Sequence, residues 1–503
     1  MAFPEIQKIK AETKMRILRY ISLLISCLLW VGCSKDVQIE RHIGQLPPIW
    51  PDYTEVTLPP NIAPPSFSMP DSCQVSELRA ICKAGNEEIL IKARNGQISI
   101  SPSQWKKLVS TSSPISVCLQ ARRGGKWEEY VPFHLYIAEE KIDPYIAYRL
   151  IEPGYETWNE MGIYQRCLEN YEETAIITNK MTGYGCMNCH SFCQQNPDKM
   201  LFHLRSDYGG TYLIQEGQIQ KLNTKTPQTI SALVYPSWHP SGDFVAFSVN
   251  DTKQMFHTTD RNRVEVMDYK SDVVVYDVKR EQIVSSPLLS SATAFETFPT
   301  FSPDGKTLYF CSADSVDIPA QYDQVRYSLC AINYDASTRS FGNRVDTLYN
   351  ACQEGKSVSF PRVSPDGKFL MFTLSAYGNF SIWHKDADLY LTNLQTSETQ
   401  PLSVLNSDDV DSYHSWSSNS RWVVFSSRRI DGLYTRPFIA YVDEAGKAHK
   451  PFLLLQKKTD YYDFLMKSYN IPEFISGKVN ASAYEISRIA KEERGTDITY
   501  SPQ

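Results

Sequence analysis

The chain has 503 residues, a formal net charge of −6 and 42% hydrophobic residues. This length is enough for two or three domains with a large core. The mildly acidic balance gives no sign of a polyanionic partner, so we expect no nucleic-acid binding. Twelve cysteines are many for a cytosolic chain. They are typical of an exported one, where thiols pair or are consumed covalently.

Residues 1–32 predict a signal peptide whose true start is expected at Met15. Two arginines there precede the apolar stretch YISLLISCLLWVG, which is too short to span a bilayer comfortably. The small residue before Cys33 resembles the lipobox of bacterial lipoproteins, although Trp30 stands where that box usually has leucine. We therefore predict lipidation of Cys33 and a lipid membrane as partner, the alternatives being an ordinary signal peptide or a membrane anchor. Ser34 lacks the aspartate that retains some lipoproteins at the inner membrane, which favours the outer membrane.

Two further regions lie before the repeats. Residues 33–70 are rich in proline, which predicts an extended tether or an edge-hugging segment, not a core element. Residues 71–142 change to short alternating apolar runs, with Gly124-Gly125 as a hairpin signal between two of them. This pattern predicts a small β-sandwich of immunoglobulin type.

Four copies of one pattern occupy the C-terminal two-thirds of the chain. They are YPSWHPSGDFVAFS from Tyr235, FPTFSPDGKTLYFC from Phe298, FPRVSPDGKFLMFT from Phe360 and YHSWSSNSRWVVFS from Tyr413. Each predicts a strand, a tight turn and a second strand, because proline presets φ, aspartate bonds its own backbone and glycine takes the left-handed position. A further pair of strands follows each copy, so each unit has the four strands of a propeller blade.

The blades predict the domain organisation. A β-propeller is expected over residues 143–455, with 456–503 as a C-terminal tail. Residues 186–230 have the pattern of a degenerate blade, which makes five. A sixth blade would be completed by strands from 145–180, by the tail, or by both. The predicted fold is therefore all-β, with a propeller of five to seven blades, six being favoured.

The sharpest chemical signal is the sequence GCMNCHSFC at residues 185–193. C-x-x-C-H is the attachment sequence of c-type haem, in which two thiols reach the vinyl groups and the adjacent imidazole binds the iron. This predicts thioether bonds from Cys186 and Cys189 and a proximal ligand in His190. The alternatives are a disulfide between the two cysteines, a zinc site that also uses Cys193, and simple packing.

Any haem must be walled by the propeller itself, because Lys199-Met-Leu-Phe-His-Leu-Arg reads as a strand and leaves no room for a separate cytochrome fold. Aligning this strand with the repeats places Cys189-His190 near the start of an innermost strand, in an aromatic ring at the channel mouth. The candidate distal ligands are His257, His414 and His203, the last of which is more simply a core histidine.

The lipobox, the sandwich-like region, GCMNCHSFC and the WHPSG and FSPDG repeats together resemble TolB-like PD40 propeller lipoproteins of Bacteroidetes type. These proteins carry a C-x-x-C-H motif and are often labelled cytochrome c biogenesis-like. The label implies a haem link, and the likeness to TolB implies a protein-binding propeller in the envelope.

Two functions are predicted from different classes. The first is an envelope lipoprotein with covalent haem c that acts in electron transfer or redox sensing with a redox protein partner. The second is a haem-free scaffold that binds an envelope protein, peptide or glycan at the channel mouth. No G-x-S-x-G elbow or acid–base constellation is present in the sequence, so catalysis is not favoured. The eight remaining cysteines allow up to four disulfides.

Overall fold

The computed structural model describes residues 37–153 and 159–502. The predicted signal peptide, the expected start at Met15 and the lipidation candidate Cys33 lie outside the described residues. Strands provide most of the regular structure, so the all-β prediction is confirmed. Within the described ranges, no helix is both long and apolar enough to cross a membrane.

A small domain of nine strands and one helix comes first. Its elements are β1 (Arg41–Ile43), β2 (Val56–Leu58), β3 (Ser66–Ser68), β4 (Glu77–Ala84), β5 (Glu87–Lys92), β6 (Gln97–Ser99), α1 (Pro102–Val109), β7 (Ile115–Arg123), β8 (Lys126–Tyr130) and β9 (Phe133–Ile137). One sheet has the order β1-β8-β7-β4-β5 and includes β9 and β2, while β3 pairs with β6 in a second sheet. The rings of Phe67 and Phe133 meet between the two unequal layers, with centroids 5.9 Å apart.

The described part of the predicted tether, residues 37–70, belongs to the core of this domain, which corrects the expectation of an extended spacer. Tyr53, Val56 and Leu58 are buried, and β2 pairs in parallel with β9. The prolines interrupt regular strands, but the apolar residues between them still pack. Proline density therefore indicated where strands end and not how far the segment extends from the domain.

Helix α1 was not predicted. Its start is a capping box: Ser101 accepts a hydrogen bond from the backbone N–H of Gln104, and the Gln104 side chain accepts one from the backbone N–H of Ser101. Pro102 occupies the first turn, where its missing N–H is no loss. Trp105 and Leu108 on one face are buried in the domain core. The local signal for this helix was present in the sequence but lay among strand-like runs.

Six blades then form the propeller. Their strands in chain order are β10 (Tyr145–Ile151), β11 (Gly162–Cys167) and β12 (Glu173–Thr178) in blade 1; β13 (Met187–Phe192), β14 (Lys199–Leu204), β15 (Gly210–Gln215) and β16 (Gln218–Asn223) in blade 2; β17 (Val234–Trp238), β18 (Phe244–Phe256), β19 (Val264–Asp277) and β20 (Gln282–Ser285) in blade 3; β21 (Ala294–Phe301), β22 (Thr307–Asp314), β23 (Ser328–Asp335) and β24 (Ser340–Tyr349) in blade 4; β25 (Ser357–Val363), β26 (Phe369–Ser375), β27 (Asp388–Asn393) and β28 (Thr399–Pro401) in blade 5; and β29 (Asp411–Trp416), β30 (Trp422–Ser427), β31 (Arg436–Tyr441) and β32 (Phe452–Leu453) in blade 6. The six-blade prediction is confirmed.

The C-terminal segment closes the ring. It contains α2 (Tyr461–Phe464), β33 (Ser468–Ile475), α3 (Ala483–Glu492), β34 (Thr496–Asp497) and β35 (Thr499–Pro502). Strand β33 pairs with β10 as the innermost strand of blade 1, so blade 1 combines residues from both ends of the propeller sequence. Strands β34 and β35 add fifth strands to blades 2 and 3. Of the possibilities predicted for the sixth blade, completion by strands from residues 145–180 together with the segment after residue 455 is the one observed, so residues 468–475 belong to the propeller.

Seven short 3₁₀ helices lie between the described strands. They are Asp71–Cys73, Asn179–Thr182, Cys193–Gln195, Ser206–Tyr208, Tyr322–Gln324, Ala351–Glu354 and Ser381–Trp383. The small domain shares one continuous apolar core with blades 5 and 6 and with β33. Trp422 donates from its indole to the Glu140 carbonyl, and Lys450 bonds the carboxylate of Asp52 at 2.8 Å. The domain is thus joined to the propeller by buried apolar contacts and by polar ones.

Candidate functional site

The innermost strand of every blade carries the same irregularity. One residue in each has a left-handed backbone with φ between 48° and 53°, and the pairing register slips beside it. These six residues are Cys189, Tyr235, Phe298, Phe360, Tyr413 and Ile471. A bulge of this kind turns a side chain that a regular strand would point elsewhere. Here it brings all six residues to the lining of one cavity on the propeller axis, and we call them the channel ring.

The channel ring closes the channel. The centroids of Tyr235 and Phe298 are 4.6 Å apart, those of Phe298 and Phe360 4.3 Å, and those of Phe360 and Tyr413 4.5 Å. Cys189 and Ile471 complete the circle. The cavity left among these residues measures about 20 Å³, which is room for about one water molecule.

A polar layer follows the channel ring. A second channel-lining residue follows each ring member at a distance of two residues. These six residues are Ser191, Ser237, Thr300, Arg362, Ser415 and Glu473. They line an open depression of about 140 Å³, here called the funnel, whose wall also includes Trp238 and Trp416. The turn between the first and second strands of a blade follows each of these residues in blades 2 to 6. The funnel therefore opens on the face that carries the HPSG and SPDG turns.

Two ionisable side chains of opposite type, Arg362 and Glu473, face the funnel without pairing. Among the described residues, neither Arg362 nor Glu473 has an ion-pair partner within 4.0 Å, and the only hydrogen bond that the Arg362 side chain makes is to the adjacent Pro361 carbonyl, at 2.9 Å. Glu473 Oε2 is buried with no hydrogen-bond partner. Burial raises the pKa of the Glu473 carboxyl to about 8, against the opposing effects of Arg362 and the backbone of Phe192. Burial also lowers the pKa of Arg362.

The opposite face of the channel is capped. The long hairpin β18–β19 and the loop at residues 376–387 meet there, and Asp268 Oδ2 accepts hydrogen bonds from Asn250 and Asn379. Glu265 accepts a hydrogen bond from the Tyr377 hydroxyl at 2.7 Å and lies 2.9 Å from His384 Nε2. Burial raises the pKa of Asp268 to about 7. The funnel is thus the open end of the axis.

The structure places the C-x-x-C-H motif inside this framework. Cys189 is a member of the channel ring, as the alignment of the repeats predicted, and His190 follows it in β13. Cys186 lies elsewhere, in the apolar core shared by blades 1 and 2. His190 is 2% exposed and its ring contacts Phe192, with centroids 6.2 Å apart. Burial, and secondarily Arg149, lower the pKa of His190 to about 3.

This arrangement does not fit a haem. Covalent attachment requires both thiols and the imidazole at one open face, yet all three groups are buried, Cys186 in the apolar core of blades 1 and 2 and Cys189 in the channel ring. The cavity beside Cys189 and His190 holds about one water molecule, not a porphyrin. Cys189-His190-Ser191 also occupies the same three positions as Tyr235-Pro-Ser and Tyr413-His-Ser in other blades. The cysteine–histidine pair therefore also fits the positions of the propeller repeat.

The candidate distal histidines do not converge on the motif. His414 Nε2 lies 2.9 Å from the Met371 carbonyl oxygen, so the ring points into the blade. His203 Nδ1 lies 2.8 Å from the Thr211 hydroxyl. His257, on the β18–β19 hairpin, contacts Tyr322 and approaches Glu265 at 3.9 Å. Burial lowers the pKa values of His203 and His414 to about 3, so both are neutral at physiological pH.

The other cysteine chemistries find no support in the described part of the chain. Its ten cysteines are all free thiols. No group of three or more histidine, cysteine, aspartate or glutamate side chains there is placed to hold a metal ion. Cys193, the third thiol of the zinc alternative, instead lies 3.9 Å from the His239 carbonyl in the core between blades 2 and 3.

Sequence reasoning missed the funnel, although a signal was present. The third residue of each repeat is serine or threonine except in Phe360-Pro-Arg, where a charged residue stands on the channel side. Ile471-Pro-Glu has the same ring–proline–polar pattern, and identifying it as a sixth copy would have found both Glu473 and the closing strand. It was hidden because no SPDG-type turn follows it.

The fold and this axial site define a six-bladed β-propeller protein. No family model matches the chain, and no curated protein matches it. Among solved structures it is similar to the tricorn protease, with TM-score 0.32 and 12% identity over 68% of this chain and 34% of that one. It is also similar to prolyl oligopeptidase B from Galerina marginata, with TM-score 0.36 and 10% identity over 66% and 42%.

A DUF4784 family protein from Bacteroides caccae is a further similar structure, with TM-score 0.30 and 9% identity over 72% of this chain and 95% of that one. The chain thus spans about a third of the length of the tricorn protease and about two fifths of that of the oligopeptidase. Likeness at this level carries no argument about activity.

Proposed function

We propose that this chain is a haem-free binding propeller of the cell envelope that receives a short zwitterionic ligand, such as a small peptide, in the funnel. The observation that carries this proposal is that Arg362 and Glu473 face one open depression without pairing with each other. A charged group that is partly desolvated and unpaired is costly, and a ligand that supplies the opposite charge removes that cost. Arg362 would bind the ligand carboxylate, and Glu473 would bind its ammonium group.

The size and lining of the funnel support a small ligand. Its volume of about 140 Å³ corresponds to about five water molecules, which suits the end of a short peptide and excludes a large folded partner from the axis. Trp238 and Trp416 offer apolar contact above the polar layer. Serine and threonine hydroxyls on four of the six blades supply additional hydrogen-bonding groups for the peptide backbone.

The proposal is tested by titrating triglycine in four forms: with both termini free, N-acetylated, C-amidated, and blocked at both ends. We expect saturable binding of the free form, weaker binding of each singly blocked form and none of the doubly blocked one. Arg362→Gln should equalise the free and C-amidated peptides, and Glu473→Gln the free and N-acetylated ones. Arg344→Gln, an exposed arginine on β24 paired with Asp346, is the control and should bind as wild type.

Proton release gives an independent readout. Since the pKa of Glu473 is about 8 without ligand, the carboxyl is mostly protonated at pH 7 and must ionise to pair with an ammonium group. Binding of triglycine at pH 7 should then release about one proton, measured by calorimetry in buffers of different ionisation enthalpy. Glu473→Gln should release none. Equal affinity for free and doubly blocked triglycine would contradict the proposed function.

The envelope location and the absence of haem are parts of the same proposal. Lipidation of Cys33 is supported by the lipobox-like sequence, and metabolic lipid labelling should be lost in Cys33→Ala. A lipid anchor would hold the propeller at the outer membrane, consistent with the resemblance to TolB-like PD40 lipoproteins. Protein expressed together with haem maturation factors should show no haem-stained band on a denaturing gel, and a stained band that disappears in Cys186→Ala/Cys189→Ala would restore the cytochrome hypothesis.

A further inference from the structure

A second cavity lies beside the C-x-x-C-H motif, on the other side of the channel ring from the funnel. It measures about 320 Å³ and is lined by residues of blades 2 and 3 and the segment joining them. Asn188 and Val234 in its wall directly precede the ring members Cys189 and Tyr235, whereas the funnel residues follow them. The two sites therefore have no lining residue in common.

A hydrogen-bond chain leads to Nδ1 of His203. Leu233 donates its backbone N–H to the Thr224 hydroxyl, which lies 3.2 Å from the Thr211 hydroxyl. Either hydroxyl can donate in this pair; when Thr224 donates to Thr211, Thr211 in turn donates to His203 Nδ1 at 2.8 Å. A neutral imidazole that accepts at Nδ1 carries its proton on Nε2. His203 Nε2, the donor in this arrangement, is buried with no partner among the described residues.

The other polar groups of this cavity have complementary character. Arg205 and Lys225 are exposed in its lining, and within the described residues neither side chain has a hydrogen-bond or ion-pair partner. Asn188 Oδ1 is buried and also without a partner, so it is a free acceptor. His203 itself is 5% exposed. Three donors, two of them cationic, surround one acceptor.

We propose that this cavity binds a small hydroxylated oxyanion, a phosphate or a hydroxycarboxylate. Arg205 and Lys225 would neutralise the oxyanion, since charge-assisted hydrogen bonds to such groups are the stronger ones. His203 Nε2–H would donate a further hydrogen bond to it. Asn188 Oδ1 would accept from the ligand hydroxyl, which explains why an acceptor stands among donors. The site rests on these four side chains and is independent of the ligand that the funnel takes.

The probes are two matched pairs at constant ionic strength: inorganic phosphate against sulfate, and glycolate against acetate. Only the first member of each pair offers a hydroxyl donor at neutral pH. We expect a saturable rise in melting temperature with phosphate, glycolate or both, and a smaller effect from the partner anion. A saturable shift with phosphate but not with glycolate identifies a phosphate site. A saturable shift with glycolate but not with phosphate identifies a hydroxycarboxylate site. No saturable shift with either probe would overturn the proposal.

Variants separate the roles of the residues. Arg205→Gln, at an exposed position that does not threaten folding, should weaken the bound probe by about tenfold or more. Asn188→Ala should remove the preference for the hydroxylated member of each pair while leaving anion binding in place. Arg94→Gln is the matched control, because Arg94 is an exposed arginine on the small domain outside this cavity. Equal weakening by Arg205→Gln and Arg94→Gln would show non-specific charge effects and would also overturn the proposal.

Direct observation of His203 completes the test. The Nε2 signal of its imidazole should shift during titration of the full chain with the bound probe. The signal of His414 should not, since its Nε2 bonds the Met371 carbonyl within the blade. An unchanged His203 signal at saturation would place the anion elsewhere.

Discussion

At the scale of single residues, the channel ring combines unfavourable backbone angles with favourable side-chain packing. A non-glycine residue with positive φ is uncommon, and for a β-branched residue such as Ile471 it is a clear outlier. The bulges persist because they bring aromatic side chains into contact at the axis, with Phe360 lying between Phe298 and Tyr413. Strain at the backbone is therefore offset by burial at the side chain.

This balance makes an unusual prediction for Phe360. In a regular strand glycine is about 0.5–1 kcal/mol less stable than alanine. At Phe360, where φ is 53°, glycine relieves strain that alanine retains, so Phe360→Gly should be at least as stable as Phe360→Ala. Each variant should lose about 3–5 kcal/mol relative to wild type because a buried phenyl ring is removed. Urea denaturation midpoints measure the order.

Phe372 provides the control for this comparison, since it is also buried but lies in β26 without a positive φ. There Phe372→Gly should be less stable than Phe372→Ala. The same order of glycine below alanine at both positions would contradict the account of the channel ring.

The carboxyl of Glu473 links stability to pH. Its pKa is about 8 in the folded protein and about 4.3 in an unfolded chain, so the folded state holds the extra proton between these values. Stability from this group is present below about pH 4.3 and is lost as pH rises through about 8. The melting temperature of Glu473→Gln minus that of wild type should therefore increase from pH 6 to pH 9. A difference that stays constant with pH would show that Glu473 is solvated in the folded protein.

At the scale of elements, the turns of the repeats adopt one backbone but have different surroundings. Gly305 and Gly367 hold the same place in SPDG turns, with φ of 74° and 72°. A Cβ at Gly305 would lie 2.1 Å from His239 Nε2, whereas one at Gly367 would meet nothing closer than Pro303 at 4.0 Å. His239 is held by Ser241, by the Gly305 carbonyl and by packing on Phe301, so it cannot easily move aside.

Alanine at the two turns should therefore have different effects. Both variants bear the strain of a positive φ, about 1–2 kcal/mol. Gly305→Ala should lose roughly 1–3 kcal/mol more, because it displaces a packed ring. Chemical denaturation of the two variants side by side measures this excess, and equal losses would mean that His239 adjusts without cost.

The elements also show what could be predicted from the sequence. Blades 3 to 5 were predictable because proline and glycine at fixed offsets specify the turn between two alternating strands, and blade 6 because its strands have the same alternation around a serine- and asparagine-rich turn. The channel-ring position of Cys189 followed from aligning β14 with these repeats. The packing of residues 37–70 could not be predicted, because proline content indicates where strands stop and says nothing of tertiary packing.

The candidate site was predictable only in part. Arg362 and Glu473 stand two residues after the ring members Phe360 and Ile471. This spacing identifies them as channel-lining residues only when the bulge is known, because the bulge turns both residues of each pair toward the axis. The spacing of the C-x-x-C-H motif predicts haem attachment. Spacing alone does not show that Cys186 lies in the core of blades 1 and 2 while Cys189 lies in the channel ring. Whether side chains share a face depends on backbone angles that this motif does not encode.

At the scale of the whole molecule, ring closure depends on the C-terminal segment. Strand β33 supplies the inner edge of blade 1, the ring member Ile471 and the funnel residue Glu473. Without β33, the edge of β10 and the adjoining face of blade 6 lose their partner, and buried backbone groups are left unpaired. A chain ending at Leu465 should therefore show no cooperative melting transition and should be cut rapidly by protease.

A chain ending at Asn480 is the matched comparison, because it retains β33 and the hydrogen bonds of Val479 with Gln165 but lacks α3, β34 and β35. It should melt cooperatively at a lower temperature than the full chain, since the buried residues Ile486 and Ile489 of α3 are lost. It should also retain triglycine binding, because the funnel is complete without the outer strands. If the shorter chain melts as cooperatively as this one, the propeller does not depend on β33 for closure.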